Sequence, residues 1–151
     1  MSQYLTLLGT ERPYPHTDAR TLLPPSGYIP VFINHLGRHG SRYMTSPNEV
    51  LQLMDFLTAA MQLESLTIKG INLYQYVLEF ISNVKGKWGT LTSIGFEEQF
   101  QIATRMYYRF PQVFGKDIFT ISTYVPRAIQ SMDAFLSAFD CFMDQNLFSK
   151  K

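Results

Sequence analysis

Two short runs of apolar and β-branched residues, Val31 to Leu36 and Ile118 to Thr123, constrain the fold more than any other feature of this chain. The first is bounded by Pro30 and Gly37. Its length, its β-branched content and its flanking breakers predict a buried strand, and the second run reads the same way. The stretch that separates them is patterned for helices.

Ser46-Pro47-Asn48-Glu49 carries three agreeing helix-start signals: a capping serine, a proline at the first helical position and a glutamate completing a capping box. Val50, Met54, Leu57 and Met61 follow at helical spacing. A second helix is predicted over Ile71 to Ser82, with Tyr74, Val77, Leu78 and Ile81 on one face, and a loop over Asn83 to Thr90. A third starts near Thr92 or Ser93. Its apolar stripe runs through Phe96, Phe100, Ala103, Tyr107 and Phe110 until Pro111 stops it. After the second strand, a fourth helix should run from Pro126 to about Asn146 and bury Ala128, Met132, Phe135, Phe139 and Phe142.

The order strand, helices, strand, helix favours an α/β fold with a parallel pair and a right-handed crossover. Two strands make a narrow parallel sheet, and the helices carry more apolar surface than two strands cover. The expected architecture is therefore a partial, mostly parallel sheet flanked by helices, the front portion of a larger α/β fold. Residues 1–30, with five prolines, read as an irregular arm, and residues 31–151 as the incomplete core.

Composition narrows the function. A chain of 151 residues, 46% hydrophobic and 15% aromatic, can bury a core. Its net charge of +1 supplies no global field for nucleic acid or an anionic membrane, so any anion must be held by a local cluster. The single cysteine, Cys141, excludes an intrachain disulfide, and no His, Cys or carboxylate cluster has metal-ligand spacing. No metal or cofactor is therefore expected. Neither a signal peptide nor a membrane span is expected from the sequence, which leaves the compartment open.

The local cluster is at the strand ends. Arg38, His39, Gly40 and Arg42 follow the first strand, and Ser122, Thr123 and Arg127 follow the second. Ligands of open α/β sheets bind beyond the carboxyl ends of the strands, so parallel neighbours would bring both groups to one crevice. Guanidinium forks match phosphate oxygens, and phosphoryl transfer asks mainly for positioning and charge stabilisation. A neutral histidine with one ring nitrogen held and the other free is a competent nucleophile towards phosphorus. Gly40 permits a tight turn that could bring backbone amides to the anion.

Arg38-His39-Gly40-Ser41-Arg42 resembles the signature of the histidine phosphatase superfamily, and its fifth-position arginine resembles the acid phosphatase and phytase branch. Leu8-Gly9-Thr10 with Pro13-Tyr14, Gly37 to Tyr43, Leu91-Thr92-x-x-Gly95, Arg109-Phe110-Pro111, and Ser122-Thr123 with Arg127, Ser131 and Phe135 look like the multiple inositol polyphosphate phosphatases, in order and nearly end to end. The resemblance implies the N-terminal part of the histidine acid phosphatase fold. It makes His39 the nucleophile that forms a phosphohistidine, Arg38 and Arg42 its catalytic partners, and Arg38, Arg42 and Arg127 the phosphate pocket. The substrate implied is a phosphorylated small molecule of the inositol polyphosphate or phytate type, in a family often exported.

This chain departs from the family pattern at Met44, where many members have proline. The late His-Ala-Glu or His-Asp segment that supplies the proton donor is absent, because the only histidines are His16, His35 and His39. The helical insertion that roofs the pocket is absent too. The sequence thus leads to the expectation of a fragment, weak or inactive alone, whose acid comes from a missing C-terminal portion. The alternative is a non-catalytic remnant that binds a phosphorylated ligand or a partner. Blander roles suit the remaining residues: His35 as a core or edge histidine, Arg105 and Arg109 as surface or salt-bridging residues, Ser122 and Thr123 as helix caps, and Ser131 as a support for Arg127.

Overall fold

The computed structural model describes residue 14, residues 25–114 and residues 118–148. Most of the expected N-terminal arm lies outside these, as do the side chains of residues 141 and 143–148. Among the described residues four helices form: α1 (Asn48–Gln62), α2 (Ile68–Val84), α3 (Ser93–Arg109) and α4 (Pro126–Phe148), with a 3-10 turn at Pro111–Val113. Packing divides the chain into two units, one made of residues 1–41 and 91–151, the other of residues 42–90.

The expected sheet is not there. Among the described residues no strand forms, and the peptide groups of residues 31–36 and 118–123 make no backbone hydrogen bond. A parallel pair needs its partners about 4.8 Å apart, exchanging slanted ladder bonds. Here the apolar side chains stand in solvent instead: Leu36 is 98% exposed, Phe119 86% and Ile121 79%. The physical reason is that a β-branched, apolar run reports a fit to a pleated, half-buried surface, not the presence of a neighbour. Helices α3 and α4 bury against each other and leave both runs unpaired. The fold is helical in its described part, and the α/β assignment is corrected accordingly.

In the first unit, α3 and α4 are joined by Ala103, Ala138, Phe139 and Phe142, all buried. Tyr107 stacks on Phe142 with centroids 4.4 Å apart, and Phe114 stacks on Phe139 at 4.8 Å. Such pairs add about 0.5–1.5 kcal/mol each beyond the area they bury. Of the expected α3 stripe, Phe100, Ala103 and Tyr107 meet the core, whereas its first member does not. Phe96 is 44% exposed, whereas Glu98 and Gln99 are buried at 4% and 6%. The helix starts where the sequence places it, with the Thr92 hydroxyl accepting from the Gly95 amide at 3.0 Å.

The second unit is a hairpin of α1 and α2, burying Leu57, Val77 and Val84. Its ends are tied by Tyr43 N–H to Thr90 O (2.9 Å) and Gly89 N–H to Met44 O (2.7 Å). At the start of α1 the Ser46 hydroxyl accepts from Asn48 N–H at 3.2 Å, but no side chain caps the helix at Pro47. Helix α2 begins earlier than the periodicity suggests, because Thr67 caps it through the Gly70 amide at 3.2 Å.

Candidate active site

Gly40 and Ser41 sit where the chain leaves residues 31–39 and meets α3 and α4. A Cβ at Gly40 would strike the carbonyl of Gly95, and one at Gly95 would strike the carbonyl of Ser41. The glycine pair is therefore needed for close backbone approach, with α3 pressed directly against the motif.

Every backbone polar group of these two residues is occupied. The Gly40 amide donates to Ser131 Oγ at 3.1 Å, and the Ser131 hydroxyl donates to the Arg127 carbonyl at 2.7 Å. The Gly40 carbonyl lies 2.8 Å from His39 Nδ1. The Ser41 amide donates to Glu98 Oε2 at 2.7 Å and its hydroxyl to Glu98 Oε1 at 3.0 Å. The Ser41 carbonyl accepts from both the amide and the hydroxyl of Thr92, each at 2.9 Å. One residue earlier, Gln99 Nε2 donates to the Arg38 carbonyl at 3.1 Å. The amides of Gly40 and Ser41 are thus spent on the protein itself. They are not the anion ligands that the motif glycine suggested.

The bond to the Gly40 carbonyl has a chemical consequence. A carbonyl only accepts, so His39 Nδ1 carries a proton, and in the neutral ring the lone pair is then on Nε2. His39 lines a cavity of about 770 Å³ together with Arg38, Ser122, Thr123 and Ser131. Residues following each of the two apolar runs therefore border one space, although no sheet brings them there. Among the described residues that line the cavity there is no Asp or Glu.

Arg127 opens α4 one turn before Ser131, and its Nε is buried with no hydrogen-bond partner. A buried, unpaired guanidinium donor is a ready acceptor site for an oxyanion. Arg42 belongs to the other unit, where one Nη donates to the Tyr43 carbonyl at 3.1 Å and Nε is likewise buried and unpaired. Ser122 does not cap α4; its hydroxyl donates to the Thr123 carbonyl at 3.0 Å.

Glu98, Gln99 and Thr92 are the residues whose part in the site sequence reasoning missed. A signal for them existed: Gly95, Glu98, Gln99 and Ala103 share one face of α3, where small residues flank polar ones. Small residues on a helix face indicate backbone contact, and the polar pair between them meets that backbone. Replacing Ser131 with alanine removes the bridge between the Arg127 carbonyl and the Gly40 amide. We expect a loss of about 1–3 kcal/mol, since a buried N–H is left unsatisfied. Urea unfolding of the variant beside the parent measures it.

His35 stacks on Phe135 with centroids 5.1 Å apart and planes 10° from parallel. Burial holds its pKa below the ordinary 6.5. The unfolded chain then binds the proton more readily, so stability rises with pH across the window from the lowered folded value to the ordinary one. As pH falls through that window the contribution is lost. Thermal melts at mildly acidic and neutral pH should show a larger drop for the parent than for His35→Gln, which does not titrate.

Comparison with curated proteins finds no match to this chain. A family model, in contrast, covers residues 32–146, from the first apolar run through most of α4, and its description is histidine phosphatase superfamily (branch 2). With the motif arginines and histidine inside that span, the chain belongs to branch 2 of the histidine phosphatase superfamily.

Proposed function

We propose that the chain is the phosphate-handling part of a phosphomonoester hydrolase of the inositol polyphosphate or phytate type, acting through a phosphohistidine on His39. The observation that carries this reading is the His39 contact to the Gly40 carbonyl at 2.8 Å, which commits Nδ1 and, in the neutral ring, puts the lone pair on Nε2 of a residue that lines the cavity. In the step proposed, that lone pair attacks phosphorus, the P–O bond to the leaving group breaks, and the alkoxide takes up a proton. Water then hydrolyses the phosphohistidine to inorganic phosphate and restores the imidazole.

Arg38 stabilises the transferring group in this scheme, and Arg127 completes the phosphate pocket. The orphaned Nε atom of Arg127 supports that assignment. In this scheme the leaving-group acid is not one of the described residues lining the cavity, none of which is Asp or Glu. A missing acid penalises poor leaving groups most. The chain should therefore be phosphorylated by p-nitrophenyl phosphate, whose phenolate departs unaided, and much more slowly by phytate. Rapid quenching followed by detection of an acid-labile, base-stable phosphoenzyme tests this. If phosphate protects the chain against heat but neither ester labels it, the chain is a phosphate-binding remnant instead.

A further inference from the structure

The Gly40–Ser41 peptide is shared by two of the hydrogen bonds described above. Its carbonyl accepts from His39 Nδ1 at 2.8 Å, and its N–H donates to Glu98 Oε2 at 2.7 Å. Imidazole, peptide and carboxylate therefore form one continuous chain. We infer that Glu98 is a positioning residue for His39, acting through the Gly40–Ser41 peptide to fix the imidazole tautomer and its orientation. The inference rests on the reading of His39 as the nucleophile.

The charge of Glu98 is what calls for this role. The side chain is 4% exposed and accepts three neutral donors: the Ser41 amide, the Ser41 hydroxyl and the Tyr14 amide at 3.2 Å. Burying a carboxylate is costly, and the same backbone could be held by a neutral acceptor. An anionic acceptor does something that a neutral one does less well. It makes a stronger bond to the peptide N–H, which polarises the peptide and makes its carbonyl a better acceptor. A better acceptor at Gly40 O favours the proton on Nδ1 and holds the ring with Nε2 unprotonated. It also stabilises the positive charge that the ring gains when Nε2 bonds to phosphorus. The site thus has the logic of a histidine oriented by a carboxylate, with one peptide group interposed.

The carboxylate is also placed so as not to oppose the phosphate. All three of its acceptor bonds are made within the protein, and Glu98 is absent from the cavity lining. Gln99, the next residue of α3, fixes the preceding peptide through the Arg38 carbonyl. Two successive residues of one helix therefore hold the backbone on both sides of the nucleophile.

The test uses the full chain, labelled with 15N, as the parent and as Glu98→Gln. Two-bond 1H–15N spectra read the His39 tautomer directly and need no turnover. The parent should show the Nδ1–H form. The variant should gain Nε2–H form, and its single-turnover phosphorylation by p-nitrophenyl phosphate should slow by roughly tenfold, with the half-saturating ester concentration nearly unchanged. A purely structural Glu98 would shift the melting point and leave the tautomer alone. An unaltered tautomer and rate in a folded variant overturn the inference while leaving the phosphatase reading intact. A tautomer that responds in a chain that is never phosphorylated upholds the coupling and removes the nucleophile assignment. Should the variant not fold, the parent spectrum decides: an Nε2–H tautomer there overturns the inference.

Discussion

His39→Ala should eliminate the phosphoenzyme altogether, with no residual label above background from p-nitrophenyl phosphate. The reasoning is that the two-step path requires a nucleophile to carry the phosphoryl group. Of the two described histidines beside the cavity, only His39 has its Nδ1 committed to a carbonyl and its Nε2 left available. His35 is the other, and it is stacked on Phe135. Labelling that persists in His39→Ala would transfer the nucleophile elsewhere and sink the assignment. The variant should stay folded, because the His39 side chain is bonded to the carbonyl of its own neighbour, Gly40, and is not part of the buried core. Phosphate binding, followed by protection against thermal unfolding, should survive, since the guanidinium groups are untouched. Loss of labelling with retention of binding separates the chemical role of the imidazole from the electrostatic role of the arginines.

Gly95→Ala is expected to be the most damaging single methyl group in the first unit. Its Cβ would run into the Ser41 carbonyl and crowd the Ser41 amide, while the Gly40 side of the contact offers no relief because the Gly95 carbonyl is already pressed there. Overpacking into side chains costs about 1–3 kcal/mol, and backbone obstacles put this substitution at the upper end. The helix cannot simply slide away. Thr92 and Glu98 tie it to Ser41, and Ala103 packs it onto α4. The predicted outcome is a thermal midpoint lower by several degrees and a phosphorylation rate that falls more than stability alone explains. Ordinary stability with ordinary labelling would show that the α3 contact is looser than these distances indicate. Gly27, with nothing within 4 Å of its Cβ position, provides the contrast in space, although its positive φ of 86° adds its own strain.

Much of this molecule was legible in the sequence. The third helix is marked by Thr92 and Gly95 at cap spacing, by its aromatic content and by Pro111, and it forms over Ser93–Arg109. The fourth begins at Pro126 as its pattern implies. These are local signals, decided within one or two turns of chain. The superfamily was legible through the Arg38-His39-Gly40-Ser41-Arg42 motif, which lies inside the span of the matching family model. The sheet was misread because the same apolar runs that favour a strand say nothing of what lies alongside.

Glu98 was illegible for a related reason. In a helix rich in polar residues, a glutamate beside Glu97 looks solvent-facing, and only the turn of α3 against Ser41 buries it. The sequence by itself marked the starts of α3 and α4 and named the residues here proposed to bind phosphate and to react. Tertiary structure decided that Val31 to Leu36 and Ile118 to Thr123 remain unpaired in the described chain. It also decided that Gly40 and Gly95 meet, and that one peptide joins His39 to Glu98. Helix caps and residue chemistry are properties of neighbours along the chain. Hydrogen bonds between residues 57 positions apart, such as Ser41 and Glu98, exist only once packing has brought the partners together.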